Sequence, residues 1–284
     1  MNNESKKKVI ENIKINLENK EFNKKVEVGD PNLSDEEVSR VLDKFYKHKN
    51  NKLFYKIKNK IANTIIDKVG KSVDVTVTGL DNIKGLNLSS GAIITMNHFN
   101  PLDSYNARKL ANILNKELYI VIQDTNLAMD GKLGFLMNYI NSIPISKSPK
   151  YIIGTFTNEL KKVLNDGNLV LIYPEEEMWF NYKLPRPPKR GAYQFAISLN
   201  VPIISCFVTM DEIKNSGNDE FNDVKYNMHV LKPIIPERNM SIKSSSIKLS
   251  EIDYYQKKEC YSNYYQKKLD YKFSYSDIAG LKKY

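Results

Sequence analysis

Between Val73 and Val208 the chain alternates short apolar runs with amphipathic stretches. Val73, Val75 and Val77 interleave with Asp74, Thr76 and Thr78 ahead of Gly79, the period of a half-buried strand ending in a turn. Behind Gly91, the run from Ala92 to Met96 has the length and branched residues of a buried strand that stops near Asn97. The same reading predicts strands at 118–122, 143–145, 169–173 and 202–208, and helices at 102–114, 132–140, 151–164 and 191–199. Beyond Asp211 the pattern weakens, leaving a polar loop at 215–223 and an edge or antiparallel strand at 226–231. Regular alternation of this kind predicts an α/β domain over residues 73–240, a largely parallel sheet flanked by helices with its chemistry at the carboxyl ends of the strands.

The flanks read differently. Residues 1–72 predict a helical arm. Its first 30 residues are polar with a weak helical pattern at Ile10, Ile13 and Leu17, and are expected to be mobile or loosely docked. Ser34 and Glu37 form a capping-box pair that starts a helix. Leu53, Ile57, Ile61 and Ile65 then recur every four residues, with Phe54 and Ile66 widening the stripe, and the stretch from Lys44 to Ile66 holds seven lysines and no acid. Such a basic amphipathic helix either rests on an anionic bilayer surface or packs its apolar face on the domain. Residues 241–284 predict a Tyr- and Lys-rich C-terminal helical tail containing a duplication, YYQKKECYSN at 254–263 and YYQKKLDYKF at 264–273. Ten residues turn a helix by about 1000°, so the two copies do not share one face.

Composition narrows the class only a little. The 284 residues include 41% apolar ones, enough for a sizeable core. A formal charge of +10 favours an anionic partner, but no nucleic-acid module is recognisable, so no nucleic-acid partner is expected. Cys206 and Cys260 are far apart and in no metal-ligand spacing, which indicates neither a disulfide framework nor a metal site and fits a reducing cytoplasm. There is no signal-peptide pattern and no apolar run of about 18 residues, so any membrane contact is expected to be peripheral, on the cytoplasmic face.

The chemistry centres on GAIITMNHFNPLD at 91–103. His98 falls just past the predicted strand, and Asn100-Pro101 supplies a helix start with Asn as cap and Pro at the first helical position. Asp103 then lies on the first helical turn, where its carboxylate can hold one ring nitrogen of His98 and leave the other free to take a proton. The bland alternative is a satisfied turn histidine beside a dipole-favoured acid.

Asn97-His98 with Asp103, following an apolar strand, resembles the first motif of the glycerolipid acyltransferase superfamily, typified by lysophosphatidic acid acyltransferases. Three later segments in workable order resemble its other motifs across roughly residues 75–235. In NSIPISK at 141–147, Lys147 stands where the family normally has a phosphate-binding Arg, keeping the charge without the planar fork. Tyr173-Pro174-Glu175 resembles the third motif, but Glu176 replaces its usual Gly, and Glu177-Met178-Trp179 replaces small, hydroxylic and basic residues. Val201-Pro202-Ile203-Ile204 resembles the fourth, thought to line the acyl site.

The resemblance implies an O-acyltransferase that moves a fatty acyl group from acyl-CoA or acyl carrier protein to the hydroxyl of a lysophospholipid, first of all lysophosphatidic acid. It needs no cofactor beyond that thioester co-substrate, and it works at an anionic membrane surface. His98 would be the general base oriented by Asp103, with Asn97, Lys147, Glu175, Arg190 and Pro202 binding substrate. The three successive carboxylates at 175–177 would repel a phosphate unless paired, and Arg186, Lys189 and Arg190 are near enough in sequence to pair them. Metal binding by that acidic run lacks nearby histidines. A catalytically lapsed lipid-binding or scaffolding homologue, or a transferase with a non-phosphatidate acceptor, stays open on the altered third motif.

Overall fold

A computed structural model describes residues 3–237 and 240–282. Seven strands form one sheet: β1 (Val75–Thr78), β2 (Ala92–Thr95), β3 (Leu118–Gln123), β4 (Ser142–Ile145), β5 (Leu169–Ile172), β6 (Ile203–Ile213) and β7 (Asp223–Val230). Their order is β1-β7-β6-β2-β5-β3-β4. The five strands from β6 to β4 are mutually parallel, β7 runs antiparallel to β6, and β1 pairs parallel with β7. The α/β class with a largely parallel sheet is therefore as the periodicity implies.

Strand β2 sits in the middle and shows why the run after Gly91 is apolar throughout. Ile94 points into a cluster with Ala107, Leu110 and Ala111 of α4 (Ser104–Ile113) on one face. Ile93 points the other way, into a cluster with residues of α7 (Thr157–Asn165), α8 (Gly191–Leu199) and α9 (Ile242–Tyr265). Helices cover both faces, as a parallel sheet requires. Gly91 itself has φ +66°, and a Cβ there would come 2.2 Å from the Asn168 carbonyl, so the entry to β2 admits only glycine.

The arm at the N-terminus corrects an expectation. In α1 (Asn3–Glu18), Val9, Ile10, Ile13 and Leu17 are buried, and with Val26 they pack against Trp179, Phe180, Tyr182 and Leu184. Their partners lie some 160 positions away, beyond the reach of local patterning. Next come α2 (Asp35–Asn50), started by the Ser34–Glu37 capping box, and α3 (Lys52–Gly70), separated from α2 by a break at Asn51. A short α5 (Gly131–Tyr139) lies under α3, and α6 (Pro149–Tyr151) runs through a π-helical turn into α7. Among the described residues no helix is long and apolar enough to cross a membrane.

The tail is helical only as far as Tyr265. Gln266 takes a left-handed conformation (φ +51°) that ends α9, so the first copy of the duplication and the two tyrosines that open the second are helix, while the rest of the second copy runs out across the domain. Leu269, Tyr271 and Phe273 of that copy pack into the Trp179 cluster. Farther back, Asp253 holds α9 down, accepting from Lys257 Nζ at 2.9 Å and from the hydroxyls of Tyr193 and Ser205, all buried.

Candidate active site

His98 follows β2 at its carboxyl end, the edge at which β5 delivers Tyr173 and Glu175. Asp103 Oδ2 accepts from His98 Nδ1 at 2.8 Å, which places the ring proton on Nδ1 and leaves Nε2 as the acceptor. The His98 side chain is 22% exposed and that of Asp103 only 2%. The same Oδ2 takes the backbone N–H of Phe99 at 2.8 Å and of Asn100 at 3.3 Å. Asp103 thus closes the loop on itself as well as holding the imidazole.

That double use explains a difference from the expected helix start. Asn100 is not the cap, because its side chain accepts from Leu102 N at 3.1 Å in a turn of its own. Helix α4 begins at Ser104, and Asp103 precedes it with its carboxylate turned backward rather than onto the helix N-terminus.

Tyr173 completes the arrangement. Its ring stacks on His98 with centroids 3.9 Å apart, and its hydroxyl donates to Asp103 Oδ1 at 2.5 Å. Burial, and after it the charge of Asp103, raises the phenol well above its usual range, so it remains a donor at neutral pH. Both Asp103 oxygens are then occupied and the imidazole plane is fixed from the side. Tyr173 stood in the third-motif segment, but nothing in sequence spacing says that an aromatic after β5 stacks on a histidine after β2.

Glu175 reaches the same loop but is turned to architecture. Its Oε2 accepts from Arg186 Nε at 3.1 Å, its Oε1 accepts from the Arg186 backbone N at 2.9 Å, and the His98 backbone N lies 3.4 Å from Oε2. Both partners are buried, and the guanidinium also lies 4.4 Å over the Trp179 ring and donates to the Phe22 carbonyl at 2.9 Å. Arg186, not Arg190, is therefore the cation that pairs the third motif; Arg190 is exposed at the start of α8. Deciding among three neighbouring cations needs the path of the 180–190 loop, which sequence does not carry.

The other expected binding residues separate. Asn97 is 2% exposed and spends its amide on β6, donating to the Val208 carbonyl at 3.1 Å and accepting from Val208 N at 2.8 Å. It continues the ladder where β2 ends. Pro202 lies at the opposite end of the sheet from His98, where its carbonyl accepts from Ile93 N. The five-residue step from Ile93 to His98 spans about 17 Å of extended chain, so Pro202 does not line this site. Lys147 is exposed just past β4, on the same sheet edge as His98 but three strands away.

Glu176 is exposed and has φ +64°, the left-handed conformation that glycine adopts freely. The backbone there has a shape that glycine takes without strain, with a glutamate standing in it. Glu177 accepts from Gln123 Nε2 at 3.0 Å. Neither carboxylate is buried in the core, and only Glu175 of the three is held by an arginine side chain.

A histidine–carboxylate pair at a strand's carboxyl end, with one ring nitrogen free, has the geometry that proton transfer requires. Residues 74–209 match the family model described as Acyltransferase, a segment that includes β1, β2, the His98–Asp103 pair and the Glu175–Arg186 pair. The match covers a little under half of the chain, and over that segment the chain is similar to the Acyltransferase family. Among solved structures it is similar to the 1-acyl-sn-glycerophosphate (LPA) acyltransferase PlsC from Thermotoga maritima, with 16% identity over 82% of this chain and 90% of that one and a TM-score of 0.49. No curated protein matches the chain.

Proposed function

We propose that this acyltransferase moves a fatty acyl group from an acyl thioester, acyl-CoA or acyl carrier protein, to the hydroxyl of a lysophospholipid, with lysophosphatidic acid the first acceptor to try. The observation that carries this reading is the His98–Asp103 pair with Nε2 unpartnered among the described residues. A hydroxyl is a poor nucleophile at neutral pH, so a base must take its proton as the oxygen attacks the thioester carbonyl. His98 Nε2 is that base. Asp103 keeps the proton on Nδ1 and offsets the charge of the imidazolium, the role a carboxylate has in serine hydrolase triads. Collapse of the adduct breaks the C–S bond, and the imidazolium returns the proton to the leaving thiolate. Tyr173, by holding Asp103 and covering the ring, keeps this geometry before substrate arrives.

The lipid acceptor is reached from a membrane surface. In α3, Leu53, Ile57 and Ile61 are 71%, 53% and 45% exposed, and Lys52, Lys56 and Lys60 are exposed beside them. An apolar stripe flanked by lysines and left uncovered by its own domain suits an anionic bilayer interface, on the cytoplasmic face. The carboxylates of Glu176 and Glu177 next to the site favour testing acceptors without a free phosphate monoester as well.

The test is acyl transfer followed by mass spectrometry across lysolipids of different head groups with both donor types. His98→Ala is expected to lose at least the 10²–10⁴-fold, in order of magnitude, that general base catalysis supplies, with the fold unchanged. Asp103→Asn should also fall steeply, since an amide cannot stabilise the imidazolium. Near-normal turnover in a folded His98→Ala protein would sink the mechanism.

A further inference from the structure

The segment between α1 and α2 lies outside the matched acyltransferase region, yet three successive residues, Phe22, Asn23 and Lys24, tie it to the active-site loops. Arg186 Nη1 donates to the Phe22 carbonyl at 2.9 Å, and Asn23 Nδ2 donates to the Pro187 carbonyl at 2.9 Å and to the Glu175 carbonyl at 3.2 Å. Trp179 Nε1 donates to the Lys24 carbonyl at 3.0 Å, while Trp179 N donates to the His98 carbonyl at 3.0 Å. Val26 is buried in the cluster around Trp179. One residue further along the chain is Glu27.

Glu27 is anomalous by the ordinary rule that buried carboxylate oxygens have donors. Its Oε1 is shut off from solvent, and no donor among the described residues reaches it. The charges that act on it are Asp30 and Lys25 from its own segment, His98 from the loop after β2 and Glu177 from the loop after β5. Lys25 is taken up by Asp30, 2.8 Å away, and Glu177 by Gln123. Of the two cations that favour the Glu27 carboxylate, His98 acts more strongly than Lys25, and it does so only when the imidazole is protonated.

We propose that Glu27 is a positioning residue of the active centre, a second carboxylate that stabilises the imidazolium formed when His98 takes the acceptor's proton. This rests on His98 being the base. Asp103 sets the tautomer and orientation; Glu27 contributes charge from a segment that must be docked for the site to be complete.

Burial above all, with Asp30 next, pushes the Glu27 carboxyl up to about 7, so its charge is present above neutrality and is lost below it. The assistance to His98 has the same dependence. Turnover at saturating donor and acceptor is to be measured from pH 6 to pH 8 for wild type, Glu27→Gln and Glu27→Asp, with melting curves for each. The wild-type to Glu27→Gln ratio should be near one at the acid end and rise to about three-fold at the alkaline end. Glu27→Asp, which keeps the charge, should restore most of the alkaline turnover. A ratio independent of pH, or an Asp variant no better than Gln, would overturn the role of Glu27 while a dead His98→Ala protein left the base reading standing. Retained turnover in His98→Ala would instead overturn the reading beneath it.

Discussion

Helices α1 and α3 carry the same kind of apolar pattern and put it to opposite uses. Ile10, Ile13 and Leu17 recur at helical spacing and are buried against Trp179 and its neighbours. Leu53, Ile57 and Ile61 recur as regularly, but that stripe faces outward, while Ala62 on the other side of α3 is buried against Tyr139 and Ile140. The weaker of the two patterns is the one that is buried. Periodicity says which face of a helix is apolar; what covers that face is decided by distant chain. For α1 the cover is the 179–184 segment that also carries the loop around the active site. For α3 the described residues leave Leu53, Ile57 and Ile61 exposed.

The sharpest way to break this contrast is to truncate the buried stripe. Ile13→Ala removes a fully buried side chain and should cost about 2–5 kcal/mol of unfolding free energy. Because α1 packs on the Trp179 cluster, and Trp179 is bonded to both Lys24 and His98, turnover should fall before the protein unfolds, as the site loop loosens. Chemical denaturation followed in parallel with acyl transfer checks both. An unchanged midpoint would show that α1 is dispensable and that the comparison with α3 has no energetic content.

Much of this fold was legible in the chain, and the exceptions share one cause. The strand at β2, the alternation of strands and helices around it, and the pairing of His98 with Asp103 depend on residues within a few positions of one another. Local period and spacing carry them. Docking of α1, the choice of Arg186 over Arg190, the stacking of Tyr173 on His98 and the entry of Glu27 all join segments 11 to 170 positions apart, and only the path of the chain brings those together. Pro202 was misplaced for a related reason: an apolar Val-Pro segment announces a buried strand, but not which end of it meets the site. The resemblance gives Asn97 to substrate, whereas here its buried amide at the end of β2 is taken up by the backbone of β6.

The second test addresses the outward stripe through its charge. Changing Lys52, Lys56, Lys58 and Lys60 together to Gln should weaken binding to anionic vesicles by about 1 kcal/mol per lysine near the surface. Raising salt should weaken the wild type in the same direction, since exposed charges are screened beyond about 10 Å at 0.1 M. Vesicle sedimentation of the two proteins, each at low and high salt, reads the effect. Equal sedimentation in all four conditions would take the bilayer away as the cover for α3.

The smallest expected change in folding is the most discriminating, because it sets the two stripes against each other in a single quantity. Leu53→Ser with Ile57→Ser removes two large apolar side chains, as Ile13→Ala removes part of one, but these two are mostly exposed in the folded protein. Little transfer free energy is lost when an already wet side chain is replaced, so unfolding free energy should move by no more than about 0.5 kcal/mol per site. Partition to vesicles should nonetheless fall, since the apolar contribution to an interfacial helix scales with the area it buries in lipid. A double variant that unfolds as readily as Ile13→Ala would mean that α3 is covered by protein in solution, by a second copy of this chain or another part of it. In that case the outward face would belong to an interface between proteins, and the likeness between the two helices would extend to their use.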